Sequence, residues 1–310
     1  MKAAFVFPGQ GSQSIGMMKS FADLEMVRET FAEASDAAGE DLWTLVQDGP
    51  ADVLNQTINT QPVMLAADIA LYRAWMSHCE TRPFVAAGHS LGEYSALVAG
   101  EAMDFAEAVA LVRFRAQAMQ EAVPEGAGAI AAVLGLDDEV VVEVCVEASQ
   151  AGETVEAANY NSPAQVVIAG HKGAVERAMD IAKAKGAKRA VMLPMSVPSH
   201  CSLMRPAAER MQERLKRVDI KVAGIPVLHN ANVRSANSAE ELRESLVRQL
   251  YQPVRWVETI RAMVSAGATH IVECGPGKVL AGLNKRIAPE TPVLSFADET
   301  AFQQALIALK

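Results

Sequence analysis

The sequence has no excess of basic residues, and this absence argues against one large class of function. Its 310 residues include 28 lysines and arginines and 37 aspartates and glutamates, which gives a net charge of −9. Proteins that bind nucleic acids need a basic surface to meet the phosphates. The composition therefore argues against a nucleic-acid-binding protein, and any acidic partner would have to dock on a local basic patch.

The chain also has few cysteines. Cys79, Cys145, Cys201 and Cys274 lie far apart, and no two of them form a C-x-x-C pair. This spacing is typical of reduced thiols in a cytoplasm, whereas a disulfide framework or a zinc site needs closer and paired cysteines. We therefore expect no metal centre.

No apolar stretch has the length that a membrane-spanning helix requires. The nearest candidate, Pro62 to Met76, is interrupted by Asp68 and Arg73 and is typical of a buried helix. The N-terminus enters a predicted strand, Ala3 to Phe7, without the features of a signal peptide. We expect a cytoplasmic protein that does not bind membranes.

The sequence does contain a G-x-S-x-G motif, Gly88-His89-Ser90-Leu91-Gly92, in a strand–turn–helix setting. The apolar run Phe84 to Ala87 predicts a buried parallel strand before it, and Leu91 to Ala99 predicts a helix after it. In this setting the two glycines permit a tight turn that presents the serine hydroxyl beside a helix N-terminus. The motif predicts a serine nucleophile, although G-x-S-x-G without this setting is common in ordinary turns.

Strands and helices alternate in both terminal parts of the chain, which predicts a parallel α/β sheet. The middle differs, because residues 129–193 follow the order βαββαβ that is typical of ferredoxin-like domains. We predict a small domain at 125–194, inserted into a large domain made of 1–124 and 195–310. Helices of the large domain are expected at about 17–36, 62–78, 104–123, 201–217, 239–250 and 300–309.

A serine hydroxyl needs a base to take its proton, and the sequence offers six histidines. His200 is the best placed, because it ends a serine-rich loop where the two predicted domains meet, and such loops commonly carry catalytic groups. His229 is its main competitor, and His89 on the turn is expected to point away from the serine. No acid lies in a strand-end loop between the serine and His200, so a backbone carbonyl is a candidate third member.

The helix predicted at 104–123 carries an arginine on its apolar side. With Val112 at the centre of the apolar face, Arg115 falls close to Met119, whereas Arg113 falls on the opposite side. A guanidinium in apolar surroundings needs a hydrogen-bond acceptor. The periodicity leaves two alternatives open: Arg115 pairs with a buried acid, or it binds an anionic ligand.

Five segments of the chain, taken together, carry a resemblance to a known family. They are Phe7-Pro8-Gly9-Gln10-Gly11-Ser12-Gln13, Gly88-His89-Ser90-Leu91-Gly92-Glu93-Tyr94, Val197-Pro198-Ser199-His200-Cys201, Leu246-Val247-Arg248-Gln249-Leu250-Tyr251 and Glu273-Cys274-Gly275-Pro276-Gly277-Lys278. In this order, which covers nearly the whole chain, they resemble the signatures of malonyl-CoA:acyl-carrier-protein transacylases. Five ordered motifs are far more specific than G-x-S-x-G alone.

The resemblance implies an acyltransferase of fatty acid synthesis, which moves a malonyl group from coenzyme A to the phosphopantetheine thiol of acyl carrier protein. Ser90 would form a malonyl ester, and His200 would act as general base and then as general acid. The family holds this histidine with a main-chain carbonyl that maps to Gln249. A carbonyl in this role is consistent with the lack of an acid in a strand-end loop between Ser90 and His200.

Other expectations also follow from the resemblance. The family's oxyanion donors map to the backbone N–H groups of Gln10 and Leu91, and its malonate-binding arginine maps to Arg115. The implied fold is an α/β-hydrolase-like large domain with an inserted ferredoxin-like small domain. Malonyl-CoA and acyl carrier protein are the expected partners, the chain is expected to be a monomer, and no permanently bound cofactor is expected.

The residues leave several alternatives beside this interpretation. A serine esterase or thioesterase would share the nucleophile and release the acyl group to water, whereas a non-catalytic acyl-binding subunit would form no adduct. Asn159 and Asn161, at the end of a predicted strand, either contact substrate or cap a turn. Lys278 and Arg286 either meet phosphates of coenzyme A or are solvated, and Cys201 is a minor candidate nucleophile.

Overall fold

The computed structural model describes residues 1–195 and 197–309, and its larger part is built on a five-stranded parallel sheet. The strands are β1 (Ala3–Phe7), β2 (Val85–Gly88), β7 (Val227–Leu228), β8 (His270–Glu273) and β9 (Val293–Ser295). Their order across the sheet is β7-β2-β1-β8-β9, and every pairing is parallel. β1 is therefore the central strand, and all five of its residues are buried.

The alternation of side chains along β1 divides the core into two halves. Phe5 and Phe7 face one half, and Ala4 and Val6 face the other. Helices on the Phe5 side include α1 (Glu25–Ala38), α2 (Leu42–Asp48), α3 (Ala51–Leu54), α4 (Thr57–His78), α5 (Gly92–Ala99), α6 (Phe105–Glu121), α9 (Arg205–Leu215), α10 (Ala239–Tyr251) and α13 (Glu299–Leu309). Those on the Ala4 side are α11 (Trp256–Ser265) and α12 (Val279–Ile287). Helices thus cover both faces, as a parallel sheet requires.

A second sheet comes from one continuous stretch between α6 and α9. Its strands are β3 (Gly128–Leu134), β4 (Val155–Ser162), β5 (Gln165–His171) and β6 (Arg189–Met192), in the antiparallel order β4-β5-β3-β6. Helices α7 (Asp138–Ala148) and α8 (Lys172–Ala184) pack on one face around a separate apolar core. The chain order βαββαβ and the strand order confirm the predicted fold class, a parallel α/β part with a ferredoxin-like part.

Strand β4 joins the second sheet to the larger part of the molecule. The Tyr160 N–H donates to the carbonyl of Val254, and the Val254 N–H donates to Ala158, both at 2.9 Å. The Glu156 carboxylate accepts hydrogen bonds from the backbone N–H and the hydroxyl of Ser202. Ser202 follows His200 by two residues, so the second sheet anchors the loop that carries this histidine.

Several elements differ from the sequence prediction. The predicted helix at 17–36 is a single 3₁₀ turn, Lys19–Phe21, followed by α1, because Leu24 adopts an extended conformation between them. Helix α4 begins at Thr57, five residues before the predicted start. Five elements had no counterpart in the sequence prediction: α2, α3, α11, α12 and β9. No helix in residues 1–195 or 197–309 is long and apolar enough to cross a membrane.

Candidate active site

The G-x-S-x-G segment forms a sharp turn between β2 and α5. Ser90 has a φ of 52°, a left-handed conformation that non-glycine residues rarely adopt. A β-carbon on Gly88 would lie 1.7 Å from the carbonyl carbon of Gly92, and one on Gly92 would lie 2.0 Å from the carbonyl oxygen of Phe7. Only glycine therefore allows the strand, the turn and the helix to approach this closely, and the turn presents the Ser90 hydroxyl at the carboxyl edge of the sheet.

His200 lies beside this hydroxyl. Its Nε2 is 2.7 Å from Ser90 Oγ, and its Nδ1 is 2.7 Å from the main-chain carbonyl oxygen of Gln249. A carbonyl only accepts hydrogen bonds, so Nδ1 carries the proton and Nε2 is free to accept the serine proton. The structure thus brings together Ser90, His200 and Gln249, which lie far apart in the sequence.

Burial controls the charge of His200. The side chain is buried, and this loss of solvent lowers the pKa of His200 from 6.5 to about 3, with a further lowering by the positive charge of Arg115. The hydrogen bond to the Gln249 carbonyl acts in the opposite direction but is the smaller effect. At neutral pH the imidazole is therefore uncharged, which is the form that a general base requires.

The loop after β1 lies against the nucleophile turn. Phe7 pairs with Gly88 in the parallel sheet, so the loops that follow the two strands leave the sheet side by side. Gly9 is so close that a β-carbon on it would lie 2.4 Å from the His89 carbonyl oxygen and 3.5 Å from the Leu91 amide nitrogen. Within residues 1–195 and 197–309, the backbone N–H groups of Gln10 and Leu91 have no hydrogen-bond acceptor. Both donors are available to an oxyanion.

Arg115 reaches the site from α6 and is almost completely buried, at 1% exposure. Its Nη1 donates to Gln61 Oε1 at 2.9 Å, and its Nη2 donates to Gln249 Oε1 at 2.9 Å and to Ser90 Oγ at 3.3 Å. Among the described residues no carboxylate lies within ion-pair distance of the guanidinium. Of the two alternatives from the sequence, pairing with a buried acid is therefore wrong. The guanidinium is held by neutral amides, with its charge uncompensated by an ion pair.

A buried polar network that was not predicted from the sequence lies under the turn. Glu93 accepts hydrogen bonds from His229 Nδ1 at 2.8 Å and from the backbone N–H of Asn230 at 2.9 Å. Asn230 Oδ1 in turn accepts the Ser90 N–H at 2.7 Å. Gln61, the partner of Arg115, was missed as well. One feature of the sequence could have indicated Glu93: it is an acidic residue within the largely apolar helix that follows the nucleophile.

The other candidate residues lie around this centre. His229 is bound to Glu93 and does not approach the serine as a base. His89 turns toward the second sheet, where its Nε2 is 2.8 Å from Asn161 Oδ1. Asn159 is buried and pairs with Val254 through the backbone bridge between the two parts.

The remaining candidates are engaged elsewhere. The Cys201 thiol is buried and donates to the carbonyl of Pro198 at 3.1 Å. Lys278 Nζ lies 3.6 Å from an Asp298 oxygen, and Arg286 donates to Gln165 Oε1 at 2.7 Å. In the part of the chain that the structure describes, no group of three or more histidine, cysteine, aspartate or glutamate side chains is placed to hold a metal ion.

Comparison with known proteins gives consistent matches along the chain. The family model for the acyl transferase domain matches residues 4–290. The malonyl CoA-acyl carrier protein transacylase of Escherichia coli O157:H7 is 52% identical over 304 residues, which cover 98% of each chain. The curated protein of the same name from Bacillus subtilis is 42% identical, over 100% of this chain and 98% of its own.

Solved structures agree with these sequence matches. The acyl-carrier-protein S-malonyltransferase of Burkholderia pseudomallei 1710b has a TM-score of 0.97 and 55% identity, and the match covers 99% of this chain and 100% of that one. A malonyl-transacylase solved in complex with a type II PKS acyl-carrier protein has the same TM-score at 49% identity, over 99% and 100% of the two chains. With this identity along its whole length and this fold, the chain belongs to the acyl transferase family, among the malonyl-CoA:acyl-carrier-protein transacylases.

Proposed function

We propose that this acyltransferase moves a malonyl group from coenzyme A to the phosphopantetheine thiol of acyl carrier protein, through a malonyl ester on Ser90. The observation that carries the proposal is the buried Arg115 guanidinium, 3.3 Å from the nucleophilic oxygen. A positive charge at this place suits an acyl group that carries its own carboxylate. The transfer supplies malonyl units for fatty acid synthesis.

In the first half-reaction, Ser90 Oγ attacks the thioester carbonyl of malonyl-CoA while His200 Nε2 takes the hydroxyl proton. The negative charge that develops on the carbonyl oxygen is stabilised by the N–H groups of Gln10 and Leu91. When the C–S bond breaks, the coenzyme A sulfur leaves with the proton from His200. The Gln249 carbonyl keeps the imidazole oriented while it carries the additional proton.

The second half-reaction reverses these proton transfers with a different thiol. His200 removes the proton from the phosphopantetheine thiol, and the sulfur attacks the ester carbonyl of malonyl-Ser90. The oxyanion again forms against Gln10 and Leu91, and the C–O bond to the serine breaks. His200 then returns the proton to Ser90 Oγ, so the enzyme is restored and no cofactor is consumed.

Arg115 selects the acyl group. Its guanidinium presents N–H donors to the free carboxylate of the malonyl group, in a charge-assisted pair that an acetyl group cannot form. Two glutamines hold the guanidinium by neutral oxygens, so no acid within residues 1–195 and 197–309 competes with the substrate for its charge. Asn159 and Asn161 lie on β4, and Asn161 contacts His89, the neighbour of Ser90 in the chain. We assign both asparagines to substrate contact.

The partners follow from the reaction and from the relatives. A malonyl-transacylase with the same fold was solved with a type II PKS acyl-carrier protein, which supports an acyl carrier protein as the acceptor here. Coenzyme A enters only as the malonyl thioester. One chain supplies every group of the proposed site, so we propose a monomer. The four free cysteines are buried and support a cytoplasmic location.

Intact-protein mass spectrometry tests the function. Mixing the protein with malonyl-CoA should give one malonyl adduct that persists without acyl carrier protein and disappears when the carrier thiol is added. The Ser90→Ala variant is the control and should give no adduct. Rapid loss of the adduct to water would favour an esterase or thioesterase instead, and a complete lack of adduct on the native protein would contradict covalent transfer.

A further inference from the structure

A carboxylate that takes no part in the proposed proton transfers lies beneath the nucleophile turn. Glu93 is fully buried in the first turn of α5, three residues after Ser90. One of its oxygens accepts a hydrogen bond from His229 Nδ1 at 2.8 Å. The other accepts from the Asn230 backbone N–H and from Gln249 Nε2, both at 2.9 Å. A buried carboxylate is costly unless it is fully hydrogen-bonded, and this one has three donors.

Asn230 transmits this contact to the nucleophile. Its Oδ1 accepts the Ser90 N–H, and its Nδ2 donates to the Gly88 carbonyl, both at 2.7 Å. Ser90 has a left-handed backbone, a conformation that persists only where the surroundings hold it. Asn230 holds the turn on the N-terminal side of the serine, and Glu93 fixes the backbone of Asn230. Gln249 holds the other side, because its Nε2 donates to the Ser90 carbonyl oxygen at 2.9 Å.

Gln249 transmits the contact to the base and to the arginine. Its carbonyl oxygen accepts from His200 Nδ1, and its side-chain Oε1 accepts from Arg115 Nη2. The side-chain amide has a donor end and an acceptor end, and Arg115 needs the acceptor. Gln249 Nε2 donates to Glu93 Oε2 and to the Ser90 carbonyl oxygen, both at 2.9 Å, and this orientation leaves Oε1 for Arg115.

We propose that Glu93 is a positioning residue that sets the geometry of the nucleophile, the base and the acyl-selecting arginine at once. It touches no reacting atom and acts through Asn230 and Gln249. The inference rests on the proposed function, in which Ser90, His200 and Arg115 have those three roles. The three segments that it joins are distant in the chain, with Glu93 137 positions from Asn230 and 156 from Gln249.

Two conservative variants separate hydrogen-bond geometry from charge. In Glu93→Gln, the amide Nε2 can donate to His229 Nδ1 in the tautomer that carries its proton on Nε2, while Oε1 still accepts from Asn230 and Gln249. The orientation of Gln249 is then kept. In Glu93→Asp, the charge is kept but the carboxylate is withdrawn by one C–C bond, roughly 1.5 Å. The shorter side chain cannot reach all three donors, so Gln249 loses one of the two acceptors that orient its Nε2.

The experiment measures the rates at which malonyl-CoA and acetyl-CoA load the protein. Both rates are divided by the concentration of active sites, which is determined from the amount of malonyl adduct formed. We expect Glu93→Gln to stay within about threefold of the native malonyl rate, because its hydrogen bonds remain. Glu93→Asp should lose about 100-fold in malonyl rate through misplacement of the reacting groups. Its preference for malonyl over acetyl should also fall about tenfold, because Arg115 loses a fixed acceptor.

Ser95→Ala is the matched control on the same helix. Ser95 is buried and donates to Asp68 Oδ2 at 2.7 Å, outside this network. It should lower the melting temperature without changing the malonyl rate per site or the preference. If Glu93 only stabilised the fold, its variants would likewise lose melting temperature but keep the native loading rate per site. Native kinetics in Glu93→Asp would therefore overturn the proposal. Greater impairment in Glu93→Gln than in Glu93→Asp would also overturn it, because charge would then outweigh geometry.

Asn230→Ala keeps the proposal testable if Glu93→Asp does not fold. This variant removes the side-chain contacts of Asn230 to the nucleophile turn and leaves those of Gln249 to Ser90 and Arg115 in place. The malonyl rate should therefore fall while the preference for malonyl over acetyl stays native. A native rate in Asn230→Ala, or a loss of preference in it, would overturn the proposed division between the two contacts. Failure of the native protein to form the adduct would instead overturn the proposed function.

Discussion

The Arg115 guanidinium lies 3.3 Å from the hydroxyl oxygen of Ser90, so one nitrogen of the arginine directly contacts the nucleophile. In a malonyl thioester a single methylene separates the reacting carbonyl carbon from the free carboxylate. A cation beside the nucleophile therefore matches the length of this acyl group. The same contact places a positive charge next to the base, and it contributes to the low pKa of His200.

Replacing Arg115 should change the choice of acyl group more than the chemistry. In Arg115→Ala, loss of the charge-assisted pair of about 1.5–3 kcal/mol should lower malonyl loading roughly 10- to 100-fold. Acetyl loading should change little, because acetyl has no carboxylate for the guanidinium to bind. Single-turnover loading from the two thioesters measures both rates. Equal losses with both substrates would contradict the role of Arg115 in selecting the acyl group.

The pH dependence of loading should reflect the buried base. Because the folded-state pKa of His200 is about 3, below its ordinary value of 6.5, the imidazole stays neutral down to mildly acid pH. The loading rate should therefore stay level between pH 8 and about pH 5. The variant Arg115→Gln removes a nearby positive charge and should move the acid limb to higher pH. A native acid limb centred near the ordinary value for histidine would be inconsistent with this environment.

The nucleophile turn should not accept a methyl group at Gly88. In Gly88→Ala the new carbon would meet the backbone of Gly92, so the turn must move, at about 1–3 kcal/mol of stability. Loading on Ser90 should fall as well. Gly282→Ala in α12 is the matched control, because in the described part of the chain no atom outside the helix's own backbone and the adjacent residues lies within 4 Å of a β-carbon there. The control should match the native protein in its free energy of unfolding, measured in urea, and in the extent of adduct formation. A Gly88→Ala variant as stable and as active as the native protein would contradict the tight turn.

A buried acid should make the stability of the fold depend on pH. Burial raises the pKa of Glu273 from 4.5 to about 7, although N–H groups of Leu280 and Ala281 act against the shift. The folded state then binds more protons than the unfolded state between these values. The contribution of Glu273 to the free energy of unfolding is therefore largest below about pH 4.5 and is lost as pH rises through 7.

The variant Glu273→Gln tests this dependence, because it cannot titrate. Urea denaturation at pH 5, 6, 7 and 8 should show native protein losing stability relative to the variant as the pH rises. Native stability falls with rising pH because the pKa of Glu273 is raised in the folded state, where burial disfavours the charged carboxylate. A constant difference across this range would mean that the group titrates equally in both states.

Local signals in the sequence predicted the fold class and the nucleophile turn. The strand before Ser90, the glycines on both sides of it and the helix after it lie within about fifteen residues, so neighbours in the chain determine the turn. The order βαββαβ likewise predicted the second sheet. The three-residue strand β9 and the four-residue helix α3 escaped prediction, because segments this short complete no periodic pattern.

Only the tertiary structure decided what holds Arg115 and what lies under the nucleophile. Helical periodicity placed Arg115 on an apolar face but could not distinguish a buried acid from the amides of Gln61 and Gln249. In the sequence, Asn230 is an ordinary polar residue, and Glu93 stands out only as an acid within a largely apolar predicted helix. Their roles depend on contacts between segments more than a hundred residues apart, and hydrogen bonds of this kind exist only after the sheet and its helices have packed. The sequence thus determined the local geometry of the turn, and packing of distant segments determined its polar surroundings.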